Sequence, residues 1–175
     1  LHYLNGAALS HLPGKVEDAV KEWQKAAEIG SLAPAYGALA DFYAKRKDWK
    51  HAAIGYMRAA SLTETDPALY AAAEQMCLKN GQSELGVLCR ARAESLQSKH
   101  EAALKDYQLL SRSSNPKRRQ FGIEGAVECY RALHRPKDYL DFIQRECRSG
   151  NADDEMRIAD AYGELGDNAH RVEHL

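Results

Sequence analysis

Between Leu39 and Ala60 the small and apolar residues fall into two helical sets. Leu39, Ala40 and Tyr43 stand at i, i+1 and i+4, and beyond a short polar turn Ala52, Tyr56 and Ala59 stand at i, i+4 and i+7. Each set lines one face of a helix. The spacing predicts two antiparallel helices in which Ala40 and Ala52 let the backbones approach, while Tyr43 and Tyr56 fill the space above and below them. Asp48 is placed to cap the second helix, because its carboxylate can accept from the free amides of the first turn.

The pattern returns along the chain. Displaced by 33 residues, Ala7, Ala19, Trp23 and Ala26 correspond to Ala40, Ala52, Tyr56 and Ala59. Asp66-Pro67 starts a helix that ends near Asn80-Gly81, and another starts near Ser83. Ala91, Ala103 and Tyr107 then fit the same template half a repeat out of register, with Ser98 and Glu101 as a capping box between their helices. Two pairings follow: the helix from about Pro67 to Lys79 is unpaired, or the helix from Ser83 to Gln97 serves both neighbours. Past the polar loop SRSSNPKRR, Ala126 and Cys129 precede Tyr139, Phe142 and Ile143 in a helix started by Pro136. A last copy carries Ile158, Ala159, Tyr162, Leu165, Gly166 and Asp167. Its second helix stops at Leu175, so a repeat array cut short is expected, with the chain a processed form or piece of a longer protein.

These residues resemble the tetratricopeptide repeat family, and AVKEWQKAAEIGSLAPAYGALADFY is also similar to its SEL-type relatives. The expected fold is all-α, an α-solenoid of stacked antiparallel helical hairpins with about ten or eleven helices. The resemblance implies a right-handed superhelix. One domain over 1–175 is expected, with repeats at 1–32 and 33–66, an irregular stretch at 67–117, a repeat at 118–151 and a partial one at 152–175. Glu74 and Arg90 depart from the template, which prefers small or apolar residues there, so irregular packing is expected in the middle.

Composition fits a helical protein: hydrophobic residues make up 45% of the chain and there are 5 prolines. The 24 basic and 25 acidic residues leave a net charge of -1, which argues against electrostatic binding to nucleic acid or membrane. No apolar run approaches the roughly 18 residues of a membrane span, and the first residues lack the pattern of a signal leader. Cys77, Cys89, Cys129 and Cys147 form no C-x-x-C pair and each falls in a predicted helix, so buried thiols in a reducing, cytoplasmic setting are expected.

Chemistry-bearing motifs are sparse. His170 and His174 in HRVEH share a helical face and match the pattern H-x-x-E-H, but no downstream carboxylate ligand follows, and a catalytic zinc needs three ligands and an open position. Lys117, Arg118 and Arg119, with Arg112 nearby, have no interleaved aromatic residue and are expected in a solvated loop between helices. No nucleophile elbow or phosphate-cradling glycine loop occurs. The expectation is therefore no enzyme, no catalytic residues, no metal and no cofactor.

The resemblance implies that the first helix of each hairpin lines the concave side. The candidate partner-binding residues there are Leu4, His11, Asp41, Lys45, Gln75, Lys79, Arg92, Ile123, Tyr130, Arg131, Asp160 and Glu164. Family members that clamp a partner's terminal carboxylate carry lysine, asparagine and arginine at groove positions where this chain has Leu4, Ala8 and Ala38, so a chaperone-tail clamp is rejected. The expected function is noncatalytic binding of a protein or peptide, as adaptor, scaffold or chaperone, by a helix-in-groove or extended-peptide mode. The alternatives are a regulatory or substrate-recruiting segment of a larger enzyme, and RNA recognition by helical repeats.

Overall fold

Six helices follow one another in the first part of the chain: α1 (His2–Ser10), α2 (Val16–Gly30), α3 (Ala33–Lys45), α4 (Trp49–Thr63), α5 (Pro67–Lys79) and α6 (Ser83–Leu96). Among the described residues five more follow: α7 (His100–Leu110), α8 (Pro116–Ala132), α9 (Pro136–Glu146), α10 (Ala152–Glu164) and α11 (Asn168–Glu173). This computed structural model describes residues 1–30, 32–63, 65–147 and 152–174, among which no strand occurs. Two compact units result, Leu1–Gln97 and Ser98–Leu175.

The helix starts follow local chemistry. Asp48 Oδ1 accepts from the His51 amide at 3.2 Å, and Asp66 Oδ1 from the Ala68 amide at 2.9 Å with Pro67 at the first helical position. Asn115 Oδ1 accepts from the amides of Lys117 and Arg118, again ahead of a proline. Lys117, Arg118 and Arg119 therefore lie in the first turns of α8 rather than in a loop. The expected capping box at Ser98 does not form. Lys99 is the residue before α7, no side chain caps that helix, and Ser98 takes a left-handed backbone with φ 58°.

That left-handed residue recurs. Gly14, Lys47, Gly81, Ser98, His134 and Gly166 all have positive φ, each one residue ahead of the position that precedes a helix. Four of these turns share a further bond, from the next residue's amide to a carbonyl five residues back: Asp48 to Tyr43, Gln82 to Cys77, Arg135 to Tyr130 and Asp167 to Tyr162. This is a Schellman-type helix ending. The turns are spaced by 33 and 34 residues, then by 17, then by 36 and 32. The backbone thus repeats, and the half-length step between Gly81 and Ser98 is where the sequence pattern also shifts.

In the first unit α1 packs with α2, α3 with α4 and α5 with α6, and α2 with α3 and α4 with α5 join these pairs. The helix from Pro67 to Lys79 is therefore not unpaired. The contact layer is built of small residues: Ala19, Ala35, Ala40, Ala52, Ala60, Ala73 and Ala91 are fully buried. Trp23 is the large exception, seated over Gly6, where a Cβ would collide with its indole ring. The two template departures meet across α5 and α6, where Arg90 Nη1 lies 3.4 Å from Glu74 Oε1.

In the second unit α7 packs with α8, α8 with α9, α9 with α10 and α10 with α11. Its largest fully buried side chains are Tyr107, Tyr139, Phe142, Leu110 and Ile143, and Ala103, Ala126, Ala159 and Ala161 are fully buried beside them. Tyr107 lies flat against Gly125, and a Cβ at Gly122 would strike the backbone of Leu110 and Ser111. Cys77, Cys89 and Cys129 are buried as expected, whereas Cys147 sits just past the end of α9 in extended backbone and is partly exposed.

Candidate binding face

In the first unit, residues at the same distance from their turns share a common exposure. Leu4, Gly37 and Ala71 form one such set, Ala8, Asp41 and Gln75 a second, and Leu12, Lys45 and Lys79 a third. All are exposed except Gly37, which is half-buried. Leu4 leaves 67% of its surface to solvent and Leu12 51%. His11 is exposed beside them. The set on α1 is apolar, with Leu1 at 90% exposure extending it, while α3 and α5 add small residues and charge. Leu1, just before α1, and Leu12, just past its end, were not among the residues expected from the sequence, although the 1, 4, 8, 12 spacing is that of one helical face.

The charges on this face are partly engaged. Asp41 accepts from the Tyr56 hydroxyl at 2.5 Å, and the Lys79 ammonium lies 4.7 Å from the centre of the Trp49 ring. Burial, with Asp41 adding to it, pushes the Tyr56 phenol well above its usual range. Lys45 and Gln75 make no ion pair or side-chain hydrogen bond among the described residues. Arg92, on α6, is half-buried. Beside the apolar strip, Ala8 and Leu9 join Glu22 and Lys25 around an open depression of about 590 Å³. Glu22 is held down to about pKa 2, chiefly by its hydrogen bond with His2 and then by Lys25.

The second unit is different. Ile123 and Tyr130 are buried, at 6% and 3% exposure, and cannot act as surface anchors. The reason is that α8 has neighbours on two sides: α7 brings Tyr107 and Gln108, whose amide donates to the Tyr130 hydroxyl at 2.7 Å, and α9 brings the Phe142 ring, 5.5 Å from that of Tyr130. Arg131 and Glu164 are exposed but paired, with Nε donating to Oε1 at 2.6 Å. Asp160 is exposed on α10.

The histidines of HRVEH are part of a turn. His170 Nδ1 donates to Asp167 Oδ2 at 2.7 Å and its ring stacks on Tyr162; His174 Nδ1 donates to Glu155 Oε2 at 2.7 Å and stacks on the same tyrosine. The first unit holds a matching group, His51 on Asp48 at 2.7 Å with its ring against Tyr43. Tyr130, Arg135 and Asp138 occupy the equivalent places with the charges exchanged, Arg135 donating to Asp138 and lying over the Tyr130 ring. Among the described residues no three or more His, Cys, Asp or Glu side chains gather where they could hold a metal ion. Arg112 and Arg119 reach Glu146, the first 4.0 Å from its carboxylate and the second donating to its carbonyl at 3.1 Å. No described helix is long and apolar enough to cross a membrane. No protein-family model matches the chain, and no curated protein matches it.

Proposed function

We propose that the chain is a noncatalytic protein-binding module of the tetratricopeptide-type α-solenoid kind, acting as adaptor, scaffold or chaperone in the cytoplasm. The face formed by α1, α3 and α5 takes a peptide or helix of a protein partner. One observation carries this reading: three helices in successive pairs leave equivalent positions uncovered, in the series Ala8–Asp41–Gln75. Small side chains there admit a partner's backbone, and the Leu1, Leu4 and Leu12 strip offers apolar anchoring. Lys45 supplies a charge with no ion pair among the described residues. The second unit enters this reading as support, because Ile123 and Tyr130 are core and Arg131 is paired.

The test compares partners captured by the wild-type protein with those captured by a Leu4→Asp/Lys45→Glu variant whose helical content matches. Loss of the wild-type partner set, with full capture retained by an Arg131→Glu/Glu164→Arg control, is the expected result. Identical partner sets for all three proteins overturn the choice of face.

A further inference from the structure

Cys77 on α5 and Cys89 on α6 are 0% and 1% exposed and share a cluster with Ala53 and Ala73, packed around by Tyr56, Met57, Met76 and Leu85. Alanine fills most places in this layer, so small size alone does not call for two cysteines. The two cysteines belong to one buried cluster across the packed α5–α6 hairpin. A metal ion here would require two thiolates among alanine and methionine side chains. The contact with Cys77 and the burial both oppose that, holding the Cys89 thiol far above its ordinary range. A disulfide is neutral and suits such a layer.

We propose that Cys77 and Cys89 form a reversible disulfide that staples α5 to α6, with a small-molecule disulfide as oxidant. The thiolate of one cysteine attacks a sulfur of the small disulfide, forming a mixed disulfide and releasing one small thiolate. The other cysteine's thiolate then attacks the protein sulfur of that mixed disulfide, making the Cys77–Cys89 bond and releasing the second small thiolate. Two protein thiols are oxidised, one small disulfide is reduced, and the two protons lost by the cysteines end on the released thiols. Because both thiols are buried, the first attack follows a local parting of α5 and α6. The staple spans the turn at Gly81, just ahead of the half-length step in the repeat.

The experiment uses the whole chain carrying Cys147→Ser, which removes the partly exposed thiol. The protein is incubated with glutathione disulfide, alkylated and digested with trypsin. Cleavage after Lys79 places Cys77 and Cys89 in different peptides, so their linkage is diagnostic. The expected result is an intact mass lower by two hydrogens, a Cys77–Cys89 linked peptide pair that dithiothreitol separates, and amide exchange in α5 and α6 slowed about tenfold relative to the reduced protein. Stable glutathione adducts on either cysteine, linkage to Cys129, or two unreacted thiols under conditions that join them in the urea-unfolded chain overturn the proposal.

Discussion

The two units differ in the size of the side chains they enclose fully. In Leu1–Gln97 the fully buried side chains are alanines with Cys77 and Cys89, and the larger Trp23, Val20, Leu39 and Leu88 keep a little exposure. In Ser98–Leu175 alanines are fully buried too, but large side chains, Tyr107, Tyr139, Phe142, Leu110 and Ile143, are fully buried beside them, and glycines on α8 make room for Tyr107. Similar turns therefore serve two packing schemes. An alanine layer has no large side chain to lose but no room to gain one, whereas aromatic packing leaves a cavity when truncated. The contrast extends to the surface, since Asp41 on α3 and Gln75 on α5 are exposed, while Ile123 and Tyr130 on α8 are buried.

The largest expected effect is in the second unit. Phe142→Ala and Tyr107→Ala each lower stability by about 3 to 5 kcal/mol in urea denaturation, because both rings are fully enclosed. In the first unit Trp23→Ala, at 8% exposure, costs roughly 3 kcal/mol, and Tyr56→Ala, half-buried, costs less than Phe142→Ala. Equal losses for Tyr56 and Phe142 would erase the distinction between the units. The reverse experiment is Ala40→Leu, which overpacks the α3–α4 contact and costs about 1 to 3 kcal/mol. A neutral result there would mean the alanine layer has slack.

Next come the turns, where the units are expected to agree. Lys47 and His134 hold φ of 61° and 54°, so Lys47→Gly and His134→Gly each raise stability by up to about 1 kcal/mol in the same denaturation measurement. A gain in one unit alone would show that the shared turn geometry hides different local strain.

The smallest effects are electrostatic and differ in sign with pH. Glu22 in the first unit has its pKa lowered to about 2, mainly by His2, so its contribution is present above the unfolded value of 4.5 and is lost as pH falls toward 2. The urea midpoints of wild type and Glu22→Gln should converge near pH 2. His170 in the second unit has its pKa raised, first by the hydrogen bond to Asp167. Its contribution is fully present below the unfolded value of 6.5 and is lost as pH rises through the folded one. His170→Ala should accordingly speed amide exchange in α11 more near about pH 6 than near about pH 8; a difference that grows with pH would contradict this assignment.

Much of the fold was legible in the residues. Asp48, Asp66-Pro67 and Pro136 start helices where local capping chemistry places them, and the burial of Ala40, Ala52, Trp23, Tyr107 and Ile143 follows the helical period. The half-repeat shift was also readable, because left-handed turn positions and small-residue positions move together. The candidate face was legible in part. Leu4, Asp41, Lys45, Gln75 and Lys79 stand exposed at the positions the helical period places away from the buried alanines. Ile123 and Tyr130 were misplaced, because side chains from other helices, Gln108 of α7 and Phe142 of α9, close against Tyr130, which the period of α8 alone does not show. Ser98 was misread as a cap since its type suits one, while its backbone had already turned left-handed.

What the sequence determined alone was local: which segments become helices, how they start and end, and which small residues let neighbours approach. These depend on capping, period and side-chain volume within a few residues of each site. The tertiary structure decided which helix lies against which, and so joined Arg131 to Glu164, Glu74 to Arg90 and Cys77 to Cys89. Those meetings link residues many positions apart on different helices, and the outcome depends on the packing of all the intervening elements at once.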